Sequence, residues 1–209
     1  MPGRIIETAA DLAEGAAWLA GAEPRFAEVL ARVGPLPLRR RADGFGAILD
    51  MIVSQQVSTA AASAIHARLR AAGYETAEAL AAAPEGALAA CGLSRPKIGY
   101  LQAIAATPLD YAALRNRSDA EVTGTLTALK GVGRWTADLY LLSALGRADA
   151  FPAGDLALQE SARRLFDLAG RPAPAAFDAL AAPWRPWRAV AARALWAYYR
   201  HIKGREGAR

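Results

Sequence analysis

The sequence has few of the residues from which disulfide frameworks and thiolate metal sites are built. It contains one cysteine, Cys91, and two histidines in 209 residues. One chain therefore cannot form a disulfide or a four-cysteine iron–sulfur cluster. We interpret Cys91 as a small buried apolar residue. His66 and His201 have no metal-ligand partners near them in the sequence, so we expect neither to act in catalysis.

Lysine is also scarce, occurring only at positions 97, 130 and 203. The formal net charge of +5 is therefore carried mainly by arginine. The planar guanidinium group suits paired phosphate oxygens, but a genome biased towards arginine codons explains the same excess equally well. The charge permits a nucleic-acid partner without establishing one.

No apolar run is long enough to span a bilayer, and the N-terminus has no signal-peptide pattern. We therefore expect a cytoplasmic protein with no membrane partner. Hydrophobic residues make up 54% of the chain, which excludes a disordered protein. Alanine is abundant and β-branched residues are few, which favours helices over strands. No segment predicts a strand, so the predicted fold class is all-α.

Apolar periodicity and capping residues predict a succession of helices. We expect a final tail over 204–209 that is not helical. The predicted helices cover residues 7–20, 24–33, 45–55, 58–72, 77–83, 84–90, 94–106, 119–129, 134–145, 155–168, 174–181 and 186–203.

Two glycines, Gly131 and Gly133, separate the helices predicted over 119–129 and 134–145. Glycine tolerates positive φ, so both residues permit a tight turn with no Cβ in the way. The unpaired N–H groups and the dipole at the start of the second helix favour an anion. The sequence thus predicts a phosphate-binding hairpin. A glycine pair between helices is more often only a helix cap, so the flanking residues must decide.

The glycine pair and its flanks read LKGVGRWTA at 129–137. Three other segments accompany this motif: FPAGD at 151–155, IVSQQVS at 52–58, and WRPWR at 184–188 leading to Trp196. Together these segments resemble the helix-hairpin-helix (HhH-GPD) DNA glycosylase superfamily, and within it the 3-methyladenine DNA glycosylase II branch. The resemblance extends from about residue 45 to residue 200.

The resemblance implies two helical lobes flanking a DNA-binding cleft. The central lobe, with the hairpin, would comprise approximately residues 35–145, and the second lobe residues 1–34 plus 146–209. Because the N-terminal portion reads as helices only, we expect none of the N-terminal β-domain present in some relatives.

Asp155 stands where a helix is predicted to begin, and aspartate in that position is by itself an ordinary N-cap. In the family that the sequence resembles, an aspartate at this distance after the hairpin is the catalytic carboxylate. It would stabilise the positive charge that develops at C1′ and orient the attacking water. The two roles are compatible.

Trp135 stands directly after Gly133-Arg134, where bifunctional members of the superfamily carry the lysine that forms a Schiff base. The resemblance therefore implies a monofunctional enzyme, with water as nucleophile and an abasic site as product. Trp135 and Trp196 would line the base pocket, with Tyr140 as a further member, and would attract a cationic alkylated base by cation–π interaction. Without the motif, Trp135 would be taken for a core residue.

The resemblance also implies contacts with DNA and with an ion. Gln56 would be the wedge that fills the space left by the extruded base. The expected DNA-binding residues are Gln55, Gln56, Lys130, Gly131, Val132, Gly133, Arg134 and Thr136. No cofactor is expected to be required, but the backbone carbonyls of Thr127, Leu129 and Val132 could hold a structural monovalent cation.

The resemblance thus implies a monomeric, nucleoid-associated DNA glycosylase that acts on damaged double-stranded DNA in base excision repair. It would flip alkylated purines of the 3-methyladenine and 7-methylguanine type out of the helix and hydrolyse the N-glycosidic bond. Two alternatives stay open. One is a glycosylase for oxidised or deaminated bases, and the other is a non-catalytic DNA-binding module in which Asp155 and the tryptophans serve only packing.

Overall fold

The computed structural model describes residues 3–207, with side chains described as far as Gly204. Twelve α-helices account for most of this range. The β-type pairing recorded within it is one isolated antiparallel bridge between Ile5 and Arg147. The predicted all-α fold is confirmed. None of the described helices is both long enough and apolar enough to cross a membrane.

The contacts divide the chain into two units, and the backbone passes between them after Arg40 and again after Tyr140. The first unit begins at Arg41 and ends at Tyr140. Its helices are α3 (Phe45–Ser54), α4 (Thr59–Ala71), α5 (Ala77–Ala82), α6 (Glu85–Ala90), α7 (Arg95–Ala105), α8 (Asp119–Thr127) and α9 (Arg134–Leu139).

Helix α7 is central to this first unit, since it packs against α3, α5 and α6, while α9 packs against α3 and α8. The core between these helices is aliphatic and closed to solvent, with Ile48, Ile52, Leu80, Leu101 and Leu126 each 0% exposed. The single cysteine, Cys91, follows α6 and is buried as predicted.

The second unit combines the N-terminal residues as far as Arg40 with the residues from Leu141 onwards. Its helices are α1 (Ala9–Ala22), α2 (Pro24–Val33), α10 (Leu156–Leu165), α11 (Pro174–Leu180) and α12 (Arg188–Gly207). Helix α12 packs against α1, α2 and α10. An aromatic cluster surrounds Trp184, and its other members are Phe26, Phe151, Phe166 and Phe177.

Most helices begin where the sequence places a capping residue. Thr8 and Ser118 form capping boxes with Asp11 and Glu121, respectively. In each box, the hydroxyl oxygen accepts the N–H of the acidic residue three positions on, and the carboxylate accepts the N–H of the cap. Such bonds are local, so they can be read directly from the sequence.

The helix predicted over 134–145 changes its hydrogen-bonding pattern half-way. It is α-helical as far as Leu139 and becomes a π-helix over Tyr140–Ala144. Carbonyls of this segment are bonded from outside the helix. The Arg193 guanidinium donates to Leu142 O at 3.3 Å, and Arg40 donates to Ala144 O at 2.9 Å. Burial lowers the pKa of Arg193 to about 10, so these carbonyl acceptors partly replace the water it has lost.

Two predicted boundaries of the last helix are wrong. Helix α12 begins at Arg188 instead of Pro186, and it continues through the predicted tail to Gly207. The final residues, 208 and 209, lie outside the described range. The sequence prediction also omitted two short 3₁₀ segments, Ala113–Asn116 and Ala182–Trp184.

We predict that Gly15→Ala destabilises the protein by about 1–3 kcal/mol. A Cβ built at Gly15 on α1 would lie 2.6 Å from Trp187 Cε3 and 2.7 Å from Val190 Cγ2. This overlap outweighs the roughly 1 kcal/mol that alanine gains over glycine in a helix. Urea unfolding followed by far-UV circular dichroism measures the difference.

Gly21→Ala is the matched control, because Gly21 lies on the same helix and an added Cβ there meets nothing within 4 Å. It should leave the free energy of unfolding unchanged or raise it. Equal destabilisation by the two substitutions would contradict the packing argument.

Candidate functional site

The hairpin between α8 and α9 depends on glycine at one position, Gly131. Its φ is +88°, a conformation that side chains with a Cβ rarely adopt. The ring of Tyr100, from α7, lies directly against it, so an added Cβ would stand 2.4 Å from Tyr100 Cγ. Within the turn, Val132 N donates to Leu129 O at 3.1 Å. Conformation and packing therefore both require glycine at 131.

Gly133 does not use the conformational freedom that was predicted to permit the turn. Its φ of −88° and ψ of 175° form the extended N-cap of α9, a conformation open to other residues. An added Cβ would meet nothing within 4 Å. Because Gly133 has no side chain, the space beside its backbone is open.

The side chains predicted to bind DNA from the hairpin divide into exposed and buried ones. Lys130 is exposed. The Arg134 side chain is 70% exposed, and its Nε donates to the buried carboxylate of Asp138 at 2.8 Å. Val132 and Thr136 are only 4% and 1% exposed. The prediction of DNA contacts by these two residues is therefore corrected for their side chains, which are packed inside the unit.

The turn after α3, here called the wedge turn, consists of Gln55, Gln56 and Val57. Gln56 is exposed and has a φ of +55°, which is uncommon for a residue other than glycine. Gln55 points inwards, where its Nε2 donates to Thr136 Oγ1 at 3.2 Å and to Gly131 O at 3.4 Å. Gln56 is thus presented outwards, while Gln55, which we predicted to bind DNA, joins the wedge turn to the hairpin.

Lys97 on α7 bonds to the backbone at the end of α3 and the start of the wedge turn, and the sequence analysis gave it no role. Its Nζ donates to Val53 O at 2.8 Å and to Gln55 O at 2.7 Å. Partial burial lowers the pKa of Lys97 below its usual value. The one available signal was its rarity, as one of three lysines in an arginine-rich chain.

In the second unit, Asp155 is the N-cap of α10. Its Oδ1 accepts hydrogen bonds from Ala157 N and Leu158 N, both at 3.0 Å. A third bond comes from Trp196 Nε1 on α12, at 3.1 Å. Three N–H donors on one oxygen fix the carboxylate at the positive end of the helix dipole. Asp155 is therefore the N-cap that the sequence predicted.

The loop that leads to Asp155 is anchored by buried groups. Phe151 lies in the aromatic cluster around Trp184 and is 3% exposed. The buried amide of Gln159 donates to Ala153 O at 2.8 Å, which ties the loop to α10. Ser161 Oγ donates to Leu195 O at 2.9 Å and joins α10 to α12 one residue before Trp196. These contacts hold the donor and acceptor of the Trp196–Asp155 bond in register.

The three aromatic residues predicted for the base pocket have different surroundings. Trp135 and Trp196 are each partly exposed. Tyr140 is fully buried, and its hydroxyl accepts a hydrogen bond from Gly44 N at 2.9 Å. Burial raises the pKa of Tyr140 to about 12. Because no part of its ring reaches the surface, we reassign Tyr140 from the base pocket to the core of the first unit.

The carbonyls of Thr127, Leu129 and Val132 lie at the C-terminal end of α8 and in the hairpin. Helix-end carbonyls lack donors within the helix, and the bond from Val132 N to Leu129 O curls the chain at this point. Neutral oxygen donors at a helix C-terminus suit a hard cation. The donor set fits a monovalent ion and contains no thiolate or imidazole.

Comparison with known proteins relates this arrangement to DNA repair. A family model described as "HhH-GPD superfamily base excision DNA repair protein" matches residues 49–186. The chain is similar to the "Alkylbase DNA glycosidase-like protein mag2" of Schizosaccharomyces pombe, with 27% identity over 190 residues, 85% of this chain and 89% of the relative.

A second relative is the "Probable bifunctional transcriptional activator/DNA repair enzyme AlkA" of Mycobacterium tuberculosis. The identity is 32% over 198 residues, which cover 87% of this chain but only 38% of that protein. Among solved structures, the 3-methyladenine DNA glycosylase Mag1 of S. pombe in complex with abasic DNA superposes with a TM-score of 0.81. It has 27% sequence identity, and the match covers 88% of this chain and 95% of that one.

We predict that Gly131→Ala destabilises the protein by about 1–3 kcal/mol, because it combines a positive φ with overlap on the Tyr100 ring. The matched substitution Gly133→Ala should cost less than about 1 kcal/mol. Thermal unfolding of both variants measures the difference. A Gly133→Ala variant as unstable as Gly131→Ala would show that the second glycine is also required by the turn.

Proposed function

Because the chain belongs to the HhH-GPD superfamily of base excision DNA repair proteins, we propose that it is a DNA glycosylase that removes alkylated purines from double-stranded DNA. The names of its relatives support this substrate class, since they include an alkylbase DNA glycosidase-like protein and a 3-methyladenine DNA glycosylase. The observation that carries the proposal is the carboxylate of Asp155, held by three N–H donors at the start of α10.

The proposed reaction is hydrolysis of the N-glycosidic bond. The bond from C1′ to the purine nitrogen breaks, and its electron pair goes to the base, which thereby loses its positive charge. The negatively charged Asp155 stabilises the positive charge that builds up at C1′. Water then adds its oxygen to C1′, and Asp155 orients it and accepts its proton on the way to solvent. The products are the free base and an abasic site.

The residue after the hairpin supports a monofunctional mechanism. Trp135 occupies the position at which bifunctional relatives carry their Schiff-base lysine, and an indole cannot form that adduct. The chain has three lysines. Lys97 donates to the backbone of the wedge turn, Lys130 precedes Gly131, and Lys203 Nζ lies over the Tyr199 ring, 6.0 Å from its centroid. We therefore assign the nucleophile to water.

Each of the two units has a partly exposed tryptophan, and aromatic side chains suit the proposed substrates. Purines methylated at N3 or N7, including 3-methyladenine and 7-methylguanine, carry a positive charge on the ring. Trp135 and Trp196 are partly exposed aromatic side chains, and attraction of a cation to an aromatic face contributes about 0.5–2 kcal/mol. These damaged bases share a positive charge but have no hydrogen-bonding pattern in common. Recognition of the charge would therefore serve for the whole group.

We assign the DNA-binding role in the first unit to the hairpin and the wedge turn. The exposed side chain of Lys130, the exposed guanidinium of Arg134 and the open backbone at Gly133 would contact phosphates. Gln56, presented at the tip of its turn, would fill the gap left by the flipped nucleotide. A monovalent cation on the carbonyls of Thr127, Leu129 and Val132 would add positive charge beside the same phosphates.

We predict that Asp155→Asn lowers single-turnover release of 3-methyladenine from alkylated duplex DNA by about 100-fold or more. Asparagine is as good an N-cap as aspartate, so α10 and the melting temperature should be retained while the negative charge is lost. Base release is measured by chromatography of the liberated purine.

Asp167→Asn is the control for this experiment, because it removes an exposed carboxylate just after α10 in the same unit. It should release base at the wild-type rate. Equal rates for wild type and Asp155→Asn would show that another residue has the catalytic role.

Two outcomes with the wild type would contradict the proposed mechanism or the proposed function. Trapping of a covalent complex by borohydride would contradict the monofunctional mechanism. Tight binding of duplex DNA by a wild type that releases no damaged base would favour the binding-module alternative.

We predict that Trp196→Phe lowers the rate of base release by about 10–100-fold, with little change in substrate affinity. Phenylalanine keeps an aromatic face but removes the Nε1–H that donates to Asp155, and a hydrogen bond to a charged group contributes about 1.5–3 kcal/mol. Single-turnover kinetics over a range of enzyme concentrations separate the maximal rate from the apparent Kd. A raised Kd with an unchanged maximal rate would limit Trp196 to base binding.

A further inference from the structure

One face of α7 contacts both parts of the first unit to which DNA binding was assigned above. Lys97 and Tyr100 are three residues apart, so they lie on the same side of the helix. Lys97 Nζ donates to the carbonyls of Val53 and Gln55, at 2.8 and 2.7 Å. Tyr100 lies under the hairpin, where its ring occupies the space that a Cβ at Gly131 would need.

The two loops are also bonded to each other. Gln55, whose carbonyl accepts from Lys97, sends its side-chain amide to Gly131 O and Thr136 Oγ1. Its main chain is therefore held by α7, and its side chain is held by the hairpin and α9. Lys97, Gln55, Gly131 and Tyr100 form a closed ring of contacts, with α7 as its base.

The wedge turn needs such support because its geometry is unfavourable. Gln56 has a φ of +55°, which costs free energy for any residue with a Cβ. The turn also follows the C-terminus of α3, where carbonyls lack donors within the helix and a cation is favoured. The Lys97 ammonium satisfies two carbonyls there at once. A side chain without donors at 97 would leave both carbonyls unbonded in a partly buried place.

We infer that Lys97 is a positioning residue that sets the wedge turn relative to the hairpin, so that gripping the phosphates and inserting Gln56 occur as one rigid-body step. The inference rests on the proposed function. Without Lys97, the hairpin still binds the duplex, but Gln56 no longer enters the duplex at the position of the damaged base. The defect therefore falls on base extrusion and not on DNA binding.

The test compares Lys97→Met, which keeps the length of the side chain and removes its donors, with wild type. Extrusion is followed by the fluorescence of 2-aminopurine placed at the lesion position, and excision by single-turnover release of 3-methyladenine. Lys97→Met should lose most of the fluorescence rise and about 10–100-fold of the excision rate, with duplex affinity within about threefold of wild type.

Arg95→Met is the matched control. Arg95 is exposed on the same helix, so the substitution removes the same charge without touching the wedge turn, and excision should stay within about twofold of wild type. If circular dichroism shows Lys97→Met to be unfolded, Lys97→Gln takes its place. Its amide can donate to one of the two carbonyls, and the loss should be intermediate.

A double-mutant cycle with Gln56→Ala separates positioning from general stability. If Lys97 acts through the wedge, adding Lys97→Met to Gln56→Ala should lower excision by less than about threefold further. Independent, multiplying losses would overturn the inference, and so would full fluorescence and wild-type excision by Lys97→Met. A wild type that releases no alkylated base would instead overturn the proposed function, and the inference with it.

Discussion

The hydrogen bond from Trp196 Nε1 to Asp155 Oδ1 is the contact on which the chemistry proposed for the second unit depends. It joins residues 41 positions apart and adds a side-chain donor to the two backbone donors at the start of α10. A carboxylate that stabilises a developing charge must be fixed before the reaction, because the free-energy cost of reorienting it during the reaction would offset the stabilisation that it provides. The buried Ser161 and Gln159 keep the bond in place by joining α10 to α12 and to the loop before Asp155.

The first unit is organised by the opposite arrangement. There the positively charged Lys97 ammonium donates to backbone carbonyls at the end of α3. In the second unit, the carboxylate of Asp155 accepts from N–H groups at the start of α10. Both arrangements place a charged side chain where the helix leaves backbone groups unpaired and the helix dipole favours its sign. Gln56 and Asp155, to which we assign roles in the proposed function, are therefore held at helix ends instead of on free loops.

The parts of the structure that could be predicted from sequence are those that depend on local bonds. Thr8, Ser118 and Asp155 begin helices through contacts within three residues along the chain. Gly131 was predictable because a turn between two helices commonly requires positive φ, although the Tyr100 ring beneath it was not. Gly133 looks the same in the sequence but has an ordinary φ.

The residues whose surroundings differ from the prediction, or to which it gave no role, are those whose place depends on burial or on distant partners. Thr136 stands in the hairpin motif like its neighbours, but it faces inwards to Gln55, 81 positions earlier. Tyr140 follows the apolar pattern of a helix that changes to π geometry at that point, which the pattern does not encode. Lys97 bonds to carbonyls more than 40 positions away, and no local signal marks a side chain that binds backbone.

The burial of Cys91 has a practical consequence for trapping complexes of this protein. It is the only thiol in the chain. It is 6% exposed, and its carbonyl accepts a bond from Arg68 at 2.7 Å, which holds this segment closed. A cysteine substituted for an exposed residue such as Gln56 would therefore be the only accessible thiol on the protein. A disulfide to an oligonucleotide carrying a tethered thiol would then form at one known position, without first removing a native cysteine.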